Sequence, residues 1–230
     1  WKVLHQHGSY PDSKTTEGEA FAFDTLKSEN SKLQKAISER TVELEQKNNE
    51  LALEAALERV RTVAMSMNKA DDMLQVCRII SEQLELLKVK EIRNVQTAII
   101  YEDKGSYLNY EYYPKHDKFF TTEVDFKNHP IQNKFANQML KGAEALFTES
   151  ITGKELPEWY AYQKTTNQFA DSYLETASSL NYYWFSLGPV ALGMSAYTPL
   201  NENEILLFRR FRNVFELAYR RFLDIKKAVG

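Results

Sequence analysis

The chain has 230 residues, a formal net charge of -3 and a pI near 5.9, which leaves room for one ordinary domain plus a long extension. The near-neutral balance gives no general field for nucleic acid or an anionic membrane. A single cysteine, Cys77, excludes an intrachain disulfide framework, so a reduced, cytoplasmic setting is the expectation.

The first residue is Trp1, with neither an initiator Met nor a signal-peptide pattern behind it, and the chain reads as a piece of a longer protein. Residues 1–7 alternate like a strand until Gly8-Ser9-Tyr10-Pro11-Asp12-Ser13 breaks the run. A lone strand is not stable, so residues 1–23 are expected to be the last strand and linker of an upstream domain. His5 and His7 share one face of that strand, but no third metal ligand is near. The stretch WKVLHQHGSYPDS resembles the closing strand of SnoaL-like domains, which are small cone-shaped folds.

Residues 24–70 read as one long helix, because neither Pro nor Gly occurs between Gly18 and Gly105. Ile37, Thr41, Leu44, Asn48 and Leu51 follow the alternating four-three spacing of a coiled-coil seam. Asn48 is the polar seam residue that sets register at a cost in stability. Leu57, Val60, Ala64 and Met67, with Leu53, continue the spacing in a different phase, and such a break changes the local winding. A helix of this length extends roughly 60 Å at 1.5 Å per residue, more than one small domain covers. A parallel homodimer is expected to bury the stripe, the alternative being a helix folded back on its own domain. Ser38-Glu39-Arg40-Thr41-Val42-Glu43-Leu44-Glu45 resembles the signalling-helix connectors of bacterial sensor proteins. Leu53-Glu54-Ala55-Ala56-Leu57-Glu58-Arg59-Val60-Arg61, followed by Ala64-Met65-Ser66-Met67, is similar to the helix that opens a GAF-like domain in Bacteroidetes-type sensor histidine kinases and multidomain regulators. That resemblance implies a ligand-sensing or relay domain upstream of an output module.

Residues 71–230 carry the elements of that domain. A helix from Asp71 or Asp72 to about 87 presents Met73, Val76, Ile80, Leu84 and Leu87 on one face. Strands are predicted over 95–101, 107–113 and 119–126, then a helix from Pro130 to Leu140 and a short strand over 145–148. Residues 155–174 read as largely helical. No charge occurs between Glu175 and Glu202, long enough for a bilayer. Its serines and Gly188-Pro189 instead suggest two buried strands, 180–187 and 190–197, and no membrane span. A last helix from 202 to about 227 carries the stripe Phe208, Phe211, Phe215, Ala218, Phe222 and Ile225. Its part beyond Tyr219 is expected to enter a second dimer helix. The plan is α+β with a mainly antiparallel sheet and flanking helices, an order that agrees with GAF-like folds and also allows a PAS-like one.

No phosphate loop, zinc helix or nucleophile elbow is present, and no motif points to haem, bilin, metal or cyclic nucleotide. His116-Asp117-Lys118 lacks the helix and glycine-rich lid of a kinase phosphoacceptor site. Enzyme activity in this segment is therefore not expected. The aromatic-rich middle suits either a sheet core or a small-molecule pocket. A pocket would lie between the sheet and the segment around Trp159, with Tyr110, Tyr112, Phe120 and Trp184 as further lining. The function that follows is non-catalytic relay of a conformational signal, the alternative being a structural dimerisation spacer without a ligand.

Overall fold

A computed structural model of the protein describes residues 21–229. The expected strand at residues 1–9, with His5 and His7, lies outside the described residues. The chain divides into two compact units between Leu51 and Ala52.

The described residues of the first unit form the opening part of helix α1 (Phe21–Met65). From Leu26 to Leu51 its side chains are exposed apart from the half-buried Glu43. Ion pairs one turn apart, Lys47–Glu43 at 2.6 Å and Lys35–Glu39 at 3.9 Å, decorate this stretch. Lys47 and Arg40 hold the Glu43 carboxyl below its usual range.

The second unit contains the rest of α1, then α2 (Met73–Leu86), β1 (Ile92–Tyr101), β2 (Ser106–Tyr113), β3 (Lys118–Asp125), α3 (Pro130–Met139), β4 (Leu146–Thr152), α4 (Glu155–Lys164), β5 (Ser179–Ser186), β6 (Val190–Ala196) and α5 (Glu202–Val229). The six strands form one antiparallel sheet in the order β3-β2-β1-β6-β5-β4. The uncharged stretch folds as the β5–β6 hairpin, turned at Gly188 with φ +96°. Among the described residues no helix is long and apolar enough to cross a membrane. Asn201 opens α5 with a reciprocal cap: its Oδ1 accepts from Glu204 N at 3.0 Å, and Glu204 Oε2 accepts from Asn201 N at 2.9 Å.

Each face of the sheet carries its own core. On one face the end of α1, α2 and α5 pack over Val95, Ile99, Tyr110, Tyr183, Leu192 and Met194. Cys77 belongs to this layer; its buried thiol lies 3.3 Å from the Tyr110 carbonyl, and burial pushes its pKa well up. On the other face α3, α4 and the chain around Leu174 pack over Ala98, Tyr107, Leu180, Tyr182 and Trp184.

Two expectations about the helices change. Leu57, Val60, Ala64 and Met67, read as a continuation of the dimer seam, are buried inside this unit against α2 and α5. The change of phase coincides with the boundary at Ala52: Leu51 is 68 % exposed and Leu53 only 9 %. Up to Leu51 the stripe has no partner within its own unit, and beyond it the domain itself provides one. Arg59 donates to Gln83 on α2 at 2.8 Å, and Arg221 of α5 donates to the Met67 carbonyl at 3.0 Å. Likewise Phe222 and Ile225, expected in a second dimer helix, are buried in the same core, Phe222 with its ring 6.1 Å from that of Tyr110. The domain therefore starts at about residue 52, earlier than the expected 71.

Leu57→Ala should destabilise the domain by about 2–5 kcal/mol, as buried leucine truncations do, whereas Leu51→Ala should change it by no more than about 0.5 kcal/mol. Urea unfolding of the chain starting at Ala52, and of the full chain at low concentration, checks both.

Candidate functional site

The site is built on the sheet face opposite the terminal helices. Direct cross-strand partners face the same side, and the register aligns Phe120, Glu111, Gln96, Gly193, Trp184 and Phe147 in one row from β3 to β4. A second row holds Asn109, Ala98 and Ala191. At the start of β1 the register slips between Ile92 and Asn94. That bulge turns two successive polar residues, Arg93 and Asn94, toward this face while Ile92 and Val95 join the helical core.

Helices α3 and α4 and the irregular stretch after α4 form the roof. Residues 155–174 do not make one helix as expected: α4 stops at Lys164, and the chain continues irregularly to a 3-10 turn at Ser172–Glu175. Thr165 and Thr166 turn their hydroxyls back onto the carbonyls of Tyr162 and Gln163, at 2.7 and 2.9 Å. Such local bonds compete with helix continuation. Further on, Asp171 is drawn down to Arg93.

Arg93 is 1 % exposed and donates from Nε to Asp171 Oδ2 at 2.9 Å. Its guanidinium carbon lies 5.1 Å from the centre of the Tyr113 ring. The Tyr197 hydroxyl donates to the same Asp171 oxygen at 2.7 Å. Asp171 Oδ1 accepts from the Tyr173 amide at 3.0 Å and lies 2.8 Å from His116 Nε2. Burial pushes the Asp171 carboxyl up, but Arg93, His116, Tyr197 and the Tyr173 amide outweigh it and hold the group below the usual range. Beside it Phe169 stacks on Phe120, with ring centres 4.5 Å apart.

Between floor and roof lies a cavity lined by Arg93, Gln96, Tyr107, Asn109, Glu111, Gln132, Phe135, Phe147, Trp159, Gln163, Gln168, Tyr182 and Trp184, among others. The side chains leave only a narrow space between them, enough for a few waters. Glu111 is 4 % exposed. Its Oε1 accepts from the Tyr113 hydroxyl at 2.9 Å and from Asn94 Nδ2 at 3.1 Å. Burial raises its pKa, outweighing Tyr113, Arg93, Thr122 and Asn94, which favour the carboxylate. Its other oxygen, Oε2, makes no hydrogen bond, and neither do three further groups of the lining, Gln96 Nε2, Asn109 Oδ1 and Gln132 Nε2, nor the Thr122 hydroxyl outside it. Each such buried group costs about 1–3 kcal/mol when left unpaired, so four around one cavity mark a place where something polar is meant to sit.

Of the residues expected to line a pocket, Trp159 and Trp184 do so. Tyr110 and Tyr112 do not. Strand alternation sends them to the helical face, Tyr110 against Phe222 and Tyr112 beneath the Arg78 guanidinium at 5.8 Å. Phe120 is on the correct face but is taken up by Phe169, outside the lining. The polar residues Arg93, Gln96, Asn109, Glu111 and Gln132 were missed. The signal was available in β2, where Asn109 and Glu111 alternate with Leu108, Tyr110 and Tyr112 on a strand buried on both sides.

Among the described residues no group of three or more His, Cys, Asp or Glu is placed to hold a metal ion. Comparison of the chain with protein-family models, with curated proteins and with solved structures finds no match.

Arg93→Met should cost about 3–5 kcal/mol, since it strands a buried carboxylate. Asp171, with its depressed pKa, contributes stability above its unfolded value of about 3.9, and this is lost as pH falls through the folded value; the acid limb of an unfolding titration should flatten in Asp171→Asn. Glu111 has the opposite sign: its raised pKa makes stability fall as pH rises from about 4.3, its unfolded value, through the folded one. Glu111→Gln should therefore stabilise the empty domain near neutral pH by roughly 0.5–2 kcal/mol, read as a higher thermal midpoint.

Proposed function

We propose that this chain is a non-catalytic sensory and relay segment of a dimeric, cytoplasmic signalling protein, with a GAF-like domain that takes a small ligand in the cavity beneath α3 and α4. The observation that carries the reading is the set of four unpaired polar atoms on residues that line one half-open cavity, an arrangement with no structural benefit unless the space is filled. The element order supports the GAF-like assignment: α2, three strands, α3, β4, α4, two strands and α5 follow the order that the sequence resemblance implies. The parent would be a sensor histidine kinase or a similar regulator.

The route for a signal runs through the sheet. On β2, Glu111 faces the cavity while its neighbours Tyr110 and Tyr112 pack against α5 and α2. A ligand that pulls on Glu111 must move the strand on which those tyrosines sit. The helices so affected share a core with the end of α1, whose upstream residues Ile37, Thr41, Leu44, Asn48 and Leu51 form the proposed parallel seam with a second copy. That seam and the exposed apolar residues along it are the proposed means of dimerisation.

The alternative, a spacer without a ligand, is favoured by one observation, the narrowness of the free space. Two measurements separate the readings. By light scattering the full chain should be a dimer and the chain starting at Ala52 a monomer; monomers in both cases would remove the coiled-coil basis of the relay. A thermal-shift screen of small polar metabolites against the full chain should yield at least one compound that raises the midpoint. An empty screen would leave the spacer reading standing.

A further inference from the structure

The unpaired atoms of the cavity differ in kind, and the fold sets which residues carry them. Gln96 Nε2 and Gln132 Nε2 are donors, while Asn109 Oδ1 and Glu111 Oε2 are acceptors. Gln96 and Glu111 are direct cross-strand partners, and Asn109 stands two residues from Glu111 on the same face of β2. Gln132 faces them from α3. Its orientation is set by the Tyr162 hydroxyl, which donates to Oε1 at 2.9 Å and leaves the amide nitrogen for the cavity. Asn94 and Tyr113 occupy the other oxygen of Glu111, so only Oε2 is left to meet a guest.

The walls constrain the guest as well. Ala98, Ala191 and Gly193 are the small residues of the floor. Trp184 lies flat over Gly193, so closely that a Cβ there would come within 2.4 Å of the indole. The Trp159 indole N–H is already committed to the Tyr182 hydroxyl at 3.1 Å, so the aromatic walls offer faces and edges with no spare donor from that ring. The charge around the space is set by Arg93, Glu111 and Asp171; Arg93 is paired with Asp171, which leaves Glu111 without an ion-pair partner. An anion would meet that carboxylate. A simple cation would satisfy the acceptors and leave the two amide donors unanswered.

We propose that the cavity takes a compact, planar, uncharged amide- or urea-type compound, its N–H groups donating to Glu111 Oε2 and Asn109 Oδ1 and its carbonyl accepting from Gln96 Nε2 and Gln132 Nε2. This rests on the reading of the domain as a ligand sensor and adds the chemical class of the ligand. The narrow space left between these side chains favours a small ring or shorter frame as the guest. Burial of Glu111 gives the selectivity its strength, because a buried acceptor discriminates against a guest without a donor far more than an exposed one does.

The test uses the full chain and three probes: 2-imidazolidinone, which has the carbonyl and two N–H groups; cyclopentanone, which has the same ring shape and no N–H; and acetate. Two of the three tryptophans, Trp159 and Trp184, line the cavity, so their indole N–H resonances report occupancy. 2-Imidazolidinone should shift both resonances saturably and bind at least about tenfold more tightly than cyclopentanone. Glu111→Gln turns an acceptor into a donor and should abolish that preference while the remaining spectrum keeps its folded dispersion. Equal binding of the two rings, a preference for acetate, or no shift with 2-imidazolidinone would each overturn the proposal. If the metabolite screen yields a compound of another class at these indoles, only the ligand class falls. If both experiments are empty, the sensor reading falls with it.

Discussion

Arg93 carries a permanent charge into the middle of a sheet that is covered on both sides, and the chain answers it with a carboxylate 78 residues away. Without Asp171 that guanidinium would be a buried, uncompensated cation. The requirement brings the stretch after α4 back across the sheet, and Tyr197 from the end of β6 and His116 from the turn after β2 converge on the same carboxylate. One acid thereby joins the first strand, the β2–β3 turn, the last strand and the roof. Phe169 closes over Phe120 on the same stretch, and Gln163 and Gln168 complete the lining. The roof of the cavity is thus tied down at one buried charge.

The two faces of the sheet obey different rules. The helical side is filled with apolar side chains from α1, α2 and α5 and follows the ordinary logic of a core. The opposite side keeps two amides, a carboxamide oxygen and a carboxylate oxygen without partners. Local violations of good folding practice concentrate at functional sites; here four line the cavity, while the Ser81 and Thr97 hydroxyls are unpaired on the helical side. The same strand supplies both worlds, residue by residue: Asn109 and Glu111 on one side, Tyr110 and Tyr112 on the other.

Much of this architecture was legible in the sequence. Alternation and turn residues marked five of the six strands to within a few residues at each end, and Pro130 marked the start of α3. The stripe from Phe208 to Ile225 identified the buried face of α5. What sequence could not decide was which surface covers a stripe. Four-three spacing is the same whether the partner is a second copy or the chain's own domain, so Leu57, Val60, Ala64 and Met67 were assigned to the wrong neighbour. The helical reading of 165–174 fails because Thr165 and Thr166 turn back on the helix end and Asp171 is held by Arg93, far away in sequence. For the cavity, aromatics are poor markers because they serve both faces equally; Asn109 and Glu111, out of place on a buried strand, are the more informative residues.

Gly193 adopts an ordinary extended conformation, so its glycine is there for volume and not for backbone freedom. The Trp184 indole occupies the space that any other residue at 193 would claim. The two positions thus share one allotment of volume across the β5–β6 hairpin. In a lineage of such domains, a larger residue at 193 would have to arrive together with a smaller one at 184. That exchange would shift the cavity wall sideways without touching the polar groups, letting the shape of the guest drift while its hydrogen-bond pattern stays the same.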